Sequence, residues 1–300
     1  MSWRWEKPAG TPVLEPQDSP GHPLAPWFAD LRRQRRAHYA SRPAVTAPRR
    51  RAVVTMVHNE PVFLPLWLAY YERFFRREDI YVLDNETSDG STDRDGFVCI
   101  PVRHGVVDHS WMVRTIEALQ HELLDSYDMV LVTDVDELVA PVPQLGSLGE
   151  YLDRFDEEWV NCLGYELLHM RDSEPPLRLQ RPILEQRGHW FVNGAYDKAA
   201  LAMAPMTWRP GFHGRADFRY NLDPDLRLVH LHRMDYDICL ERHRTRGRRP
   251  WAPTDEEQGW AVHNRITDEA AFEHWFYEDS CFEGFAIVPE RIPAAWRERF

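Results

Sequence analysis

The stretch Met129-Val130-Leu131-Val132-Thr133-Asp134-Val135-Asp136-Glu137 constrains this chain more than any other. A short apolar run bounded by polar residues reads as a buried strand. In open α/β sheets the carboxyl ends of such strands carry ligand-binding residues. Three carboxylates gathered there repel one another unless a cation neutralises them. Oxygen donors suit Mg²⁺ or Mn²⁺, and Mg²⁺ characteristically shares its shell with substrate phosphates. The expectation is a divalent metal holding a phosphorylated ligand at a strand end. An acidic pair after a strand also serves as a helix cap or a solvated turn, so its neighbours must decide.

The neighbours are two further polar strand ends. Ala52 to Val57 reads as a strand ending in His58-Asn59-Glu60, and Ile80 to Leu83 as one ending in Asp84-Asn85-Glu86-Thr87-Ser88-Asp89-Gly90. A helix opened by Pro61 runs to Phe75, Phe97 to Val102 is a third strand, and Ser110 caps a helix to Asp125. The order β-α-β-β-α-β predicts a mostly parallel sheet covered by helices. In such a sheet the three polar ends share one rim. Residues such as Asn, Asp, Ser and Gly also make ordinary turns, so their convergence carries more than any one segment.

Outside this region the chain divides unevenly. Residues 1–50 form a Pro/Arg-rich arm with one short helix near Trp27 to Tyr39, and Trp3, Trp5, Trp27 and Phe28 suggest packing on the body. Residues 51–300 read as one domain, with a regular α/β first half (51–158) and an irregular second half (159–300). Short strands are expected near Trp159 to Leu168, Lys198 to Met203 and Leu226 to His232, and helices at Asp237 to Arg246 and Asp268 to Tyr277. The net charge of −12 disfavours a general nucleic-acid binder. Lys7 and Lys198 are the only lysines, and arginine clusters at Arg32 to Arg36, Arg49 to Arg51 and Arg242 to Arg249. The first two read as solvated faces. Cys99, Cys162, Cys239 and Cys281 lie far apart, with no pair spaced for zinc or a disulfide framework. No apolar leader and no run of membrane-spanning length stands out, so a soluble cytoplasmic protein is expected.

With these residues in view, the chain resembles a glycosyltransferase of the GT-A fold, in the family-2-like group. The match is V-V-T-M-V-H-N-E, then L-P-L-W-L-A-Y-Y, then I-Y-V-L-D-N-E-T-S-D-G-S-T-D, then V-L-V-T-D-V-D-E-L, across about residues 52 to 140. The resemblance implies an α/β fold with a Rossmann-like nucleotide-sugar-binding half (51–158) and an acceptor-side half (159–300), a nucleotide-sugar donor (most often UDP-linked), and Mn²⁺ or Mg²⁺ at the D-x-D. It places His58, Asn59 and Glu60 beside the nucleoside and Asp84 and Asn85 on base or ribose. Asp134 would face ribose or metal, Asp136 would ligate the metal, and Glu137 would support the site from behind. The family commonly has two Asp and a Gly where this chain has Asp84, Asn85 and Glu86, a departure that bears on base identity.

The second half adds weaker candidates. Leu228-Val229-His230-Leu231-His232-Arg233 places two histidines on one strand face. The resemblance draws a late histidine to the metal, with His232 preferred over His230. Arg233 and the Arg242 to Arg249 group are candidates to neutralise a leaving diphosphate. Lys198 is read either as a phosphate ligand or as a surface ion pair. The family's Glu-Asp base pair is absent near His213 to Asp217, which leaves the base open among Asp217, His213, Asp172 and Glu174. The reaction implied is metal-dependent transfer of a sugar to an unidentified acceptor hydroxyl, with inversion. Two alternatives stand beside it: a non-catalytic nucleotide-sugar scaffold, and a D-x-D phosphatase or phosphotransferase.

Overall fold

The computed structural model describes residues 25–41, 49–279 and 287–300. Trp3, Trp5 and Cys281 lie outside the described residues. The elements follow in the order α1 (Ala25–Ala40), β1 (Arg51–Val57), α2 (Phe63–Tyr71), β2 (Ile80–Asn85), β3 (Val98–Val102), α3 (His109–Leu123), β4 (Met129–Val132), β5 (Glu137–Pro141) and α4 (Leu148–Arg154). They continue with β6 (Trp159–Leu168), α5 (Ile183–Gln186), β7 (His189–Val192), β8 (Leu201–Ala202), β9 (Leu222–His230), α6 (Tyr236–Gly247), α7 (Pro253–Gln258), α8 (Glu269–Glu278) and β10 (Glu290–Arg291).

The fold is mixed α/β, and its first half is the expected parallel sheet in the spatial order β3-β2-β1-β4. Alternate residues of β1 leave on opposite faces, as a two-residue period requires. Val53 and Val57 join Trp67 and Tyr71 of α2, whereas Ala52 and Val54 join Val113 and Ile116 of α3. A helix covers each face, as parallel sheets demand. Two boundaries differ from expectation. Helix α2 spans only Phe63–Tyr71. Asp108, not Ser110, caps α3, its side chain accepting the Trp111 N–H at 2.8 Å.

The second half is more regular than its sequence suggests. Strand β9 lies between β5, antiparallel, and β6, parallel. It begins at Leu222, four residues before the expected start. Pro224 sits there, where the pairing to β6 skips from Cys162↔Asp223 to Leu163↔Arg227. Proline cannot donate to a ladder and is accommodated at such a bulge. The β8 strand pairs with both β4 and β6 and joins the two halves into one sheet. Gly164 of β6 is required by contact: a Cβ there would stand 2.4 Å from the Asn193 carbonyl oxygen and 2.7 Å from the Tyr196 carbonyl carbon.

Arg33 and Arg36 of α1 are exposed as expected, but the helix also docks on the body through its arginines. Arg36 donates to Asp225 at 2.6 Å and Arg32 pairs with the same carboxylate at 3.3 Å. Arg35 is buried and binds Glu157 and Asn221. Phe28 is fully buried, while Trp27 stays exposed and meets it edge-on. No helix among the described residues is long and apolar enough to cross a membrane.

Candidate active site

The parallel registers put the three polar strand ends on one rim. Val57 pairs with Asp84, and Val54 with Val132 two residues before Asp134. A cleft of about 1070 Å³ opens above that rim, lined by His58, Asn59, Asn85, Asp134, Asp136 and residues of the second half. Asn59 adopts a left-handed backbone (φ 52°), a conformation for which Asn is suited. Its side-chain oxygen accepts the Ser88 N–H at 2.8 Å, tying the first rim loop to the second. His58 Nδ1 donates to the Asn85 carbonyl at 2.7 Å. Asn85 is buried, and its side-chain oxygen has no hydrogen-bond partner. Asp84 does not line the cleft. Its carboxylate accepts the Thr87 N–H and the Thr92 hydroxyl, each at 2.9 Å, and shapes the loop that carries Asn85.

The D-x-D-E turn is held from behind by α2. Trp67 Nε1 donates to Thr133 at 2.9 Å, and the Tyr71 hydroxyl donates to the Glu137 carbonyl at 3.1 Å while accepting the Val139 N–H at 3.0 Å. Glu137 accepts the Asp134 N–H at 2.7 Å. Lys198 is neither on the surface nor in the cleft. It is 1% exposed and reaches Asp134 and Glu137, each at 2.8 Å. Burial pushes the Glu137 carboxyl up to about 7 against the pull of Lys198. The same ammonium, against the cost of burial, holds Asp134 below its usual range. Lys198 therefore fixes the shape of the turn.

Asp136 faces two histidines. Pairing of β5 with β9 sets Glu137 opposite His230, and the Leu231 N–H donates to the Asp136 carbonyl at 2.7 Å. One donor atom each from Asp136, His230 and His232 lie within 4.8 Å of one another. His230 Nε2 stands 3.3 Å from Asp136 Oδ2, and its Nδ1 stands 2.9 Å from Glu166 Oε2. Although burial disfavours the charged ring, Glu166 and Asp136 raise its pKa to about 10. Glu166 is fully buried on β6, beside His230 in the parallel register. Nothing in the motif reading identified it. Its signal is the one carboxylate inside a mostly apolar strand, since a buried charge requires a partner.

His232 is presented by a different relay. The Ile266 carbonyl can only accept, so His243 Nδ1 donates to it, at 3.2 Å. His243 Nε2 then accepts from His232 Nε2 at 2.9 Å. Burial, with His243 and Arg242 nearby, keeps His232 uncharged. Its Nδ1 is left with a lone pair. Metal-binding histidines characteristically give their second nitrogen to such a partner. The donor set of one carboxylate and two imidazoles accommodates a divalent ion, and its nitrogens favour Mn²⁺ over Mg²⁺. Asp134, held by Lys198, stands apart from this group.

Cationic side chains face the same space. Arg242 binds both Glu60 and Asp136, with Nη2 at 2.8 Å from Glu60. Against the cost of burial, Arg242 and His230 hold Asp136 well below the usual carboxylate range. Arg246 donates to Glu60 at 3.0 Å, so Glu60 orients arginines from within the wall. Arg249 lines the cleft half-buried; the Glu86 carboxylate acts on it from beyond ion-pair distance. Arg233 is elsewhere. It is fully buried, donates to the Phe276 and Asp279 carbonyls at 2.9 and 2.7 Å, and lies over Trp275. It anchors the end of α8 and is not available to a diphosphate.

Of the four base candidates, only His213 lines the cleft. Its Nδ1 has no hydrogen-bond partner, and burial lowers its pKa to about 3. Asp217 lies on an exposed turn, where Arg215 grips it at 2.9 and 2.7 Å and holds it at about 2. Glu174 accepts the Gly188 and Met170 N–H groups at 2.7 and 3.0 Å, which is a loop-building role. Asp172 is exposed outside the cleft.

No family model matches this chain, and no curated protein does. Among solved structures it is similar to the mannosyltransferase PcManGT from Pyrobaculum calidifontis in complex with GDP-Man and Mn²⁺. The identity is 15%, 84% of each chain is covered, and the TM-score is 0.36. So loose a superposition assigns neither donor nor reaction.

Proposed function

We propose that this chain is a metal-dependent glycosyltransferase of the GT-A type, moving a sugar from a nucleoside diphosphate, UDP in the first instance, to an acceptor hydroxyl with inversion. One observation carries the reading: Asp136, His230 and His232 meet at the rim of the parallel strands, in the same cleft as Arg242, Arg246 and Arg249. A metal-binding group beside fixed guanidinium groups suits a diphosphate, whose charge grows as it departs.

The roles follow from position. Asn85, with an unsatisfied buried oxygen, and His58 meet the nucleoside. Asp136, His230 and His232 hold the divalent ion, which when bound supplies Lewis-acid neutralisation of the leaving diphosphate. Arg249 contributes a guanidinium not already committed to protein, and Arg242 exchanges its hold on Asp136 for phosphate oxygens. His213 enters the reaction uncharged and accepts a hydrogen bond from the acceptor hydroxyl. A base this weak takes the proton only late, as bond formation makes the attacking oxygen acidic.

The test is thermal unfolding with UDP, GDP and dTDP, each with and without Mn²⁺, on wild type and Asp136→Asn. Ligand at about a hundred times its dissociation constant stabilises by roughly 2.7 kcal/mol. A metal-dependent shift with one nucleotide, absent in Asp136→Asn, is expected and names the base for donor screening. No shift with any nucleotide refutes the reading.

A further inference from the structure

We infer that His232, Cys239 and His243 form a second, soft-metal site whose occupation withdraws His232 from Asp136. The competition rests on the transferase reading of Asp136; the soft site does not. Donor atoms of the three residues lie within 4.8 Å of one another. Their exposures are 2%, 0% and 0%, so no solvent shell need be stripped from them. Cys239 and His243 are one helical turn apart on α6, which puts them on one face.

The donor chemistry differs from that of the first group. A thiolate with two imidazoles selects Zn²⁺ or Co²⁺ over Mn²⁺ or Mg²⁺. The two imidazole nitrogens are 2.9 Å apart and share one proton. Ligands at about 2.0–2.1 Å from a tetrahedral ion stand roughly 3.3 Å apart, so a small opening admits the metal. Burial pushes the Cys239 thiol well above its ordinary range against the smaller pull of Arg242 and Arg233, so the incoming metal itself must displace the proton.

Proton accounting makes the two sites exclusive. On binding, Cys239 releases its thiol proton to solvent. His243 already keeps its proton on Nδ1, bonded to the Ile266 carbonyl, and offers Nε2. His232 must bare Nε2, which moves its one proton to Nδ1. With one nitrogen on the soft metal and the other protonated, the neutral His232 ring has no lone pair left for an ion at Asp136. His232 is thus the shared component of both groups.

The first test is Co²⁺ titration of the EDTA-treated full chain, followed by near-ultraviolet absorption. A thiolate-to-cobalt charge-transfer band is expected in wild type and absent in Cys239→Ser, with the band weakened in His243→Gln if Cys239→Ser fails to fold. Its absence in wild type, or its persistence unchanged in folded Cys239→Ser, overturns the site. The second test follows free Mn²⁺ by electron paramagnetic resonance with and without prior Zn²⁺. Loss of a ligand predicts Mn²⁺ affinity weakened at least about tenfold in wild type and unchanged in Cys239→Ser. Equal weakening in both overturns the competition. A protein that takes cobalt at Cys239 but never binds Mn²⁺ rejects the Asp136 reading and the competition together, leaving the soft site standing.

Discussion

Glu166 and His230 stand side by side on parallel strands, with a carboxylate oxygen 2.9 Å from the ring Nδ1. Strand pairing alone creates this contact, and it fixes the ring so that Nε2 points to Asp136. Carboxylate partners of this kind raise the basicity of a ligating imidazole. Glu166→Gln keeps a hydrogen bond but removes the charge. Mn²⁺ affinity by calorimetry is expected to fall about 10- to 100-fold. An unchanged affinity would mean that His230 is not a ligand.

Lys198 offers a stability test away from the ion. It is buried against Glu137 and reaches the half-exposed Asp134, so Lys198→Met leaves the Glu137 carboxylate buried without its cation. Breaking a buried pair by removing one partner costs about 3–5 kcal/mol. Urea unfolding should show that loss, and Lys198→Met with Glu137→Gln should recover part of it because one orphaned charge is gone. No recovery would show that Asp134 bears the interaction.

The first half was legible because apolar runs ending in polar clusters map directly onto strands and their rim. The helix after β1 and the D-x-D-E turn fall where the patterns put them. The second half hid its order. Pro224 masks the start of β9, since proline argues against a strand unless a bulge receives it. His230 and His232 were readable as a pair, but the choice between them was not: register, absent from local pattern, delivers both. Glu166 belongs to no motif and becomes visible only through β9. Lys198, Arg233 and Arg35 were misplaced for a common reason. Long cationic side chains are usually exposed, and burial with a partner leaves no local mark.

Acid should weaken the fold through two cleft histidines. Burial lowers His213 and His263 to about 3, from an ordinary value of 6.5. Folded, they stay neutral; unfolded, they take protons below about 6.5. The contribution of these two rings is therefore full above pH 6.5 and declines as pH falls from there towards 3. The slope is at most about 1.4 kcal/mol per pH unit for each ring, an upper bound because both keep some surface in the cleft. Melting of metal-free protein from pH 7.5 to 4.5 measures it. Folded His263→Asn should show a shallower decline, and an identical profile would exclude His263 as a contributor.

Arg249 separates binding from folding. Its guanidinium lines the cleft and the Glu86 carboxylate acts on it only from beyond ion-pair distance, so Arg249→Gln removes no internal ion pair. If it grips the donor diphosphate, one charge-assisted contact worth about 1.5–3 kcal/mol disappears. Nucleoside diphosphate affinity should fall roughly 10- to 150-fold, with melting of the unliganded protein nearly unchanged. Binding of the matching nucleoside, which lacks phosphates, should be unaffected. Equal losses for nucleoside and diphosphate would place Arg249 at the base instead, and the phosphate role would then fall to Arg242 and Arg246.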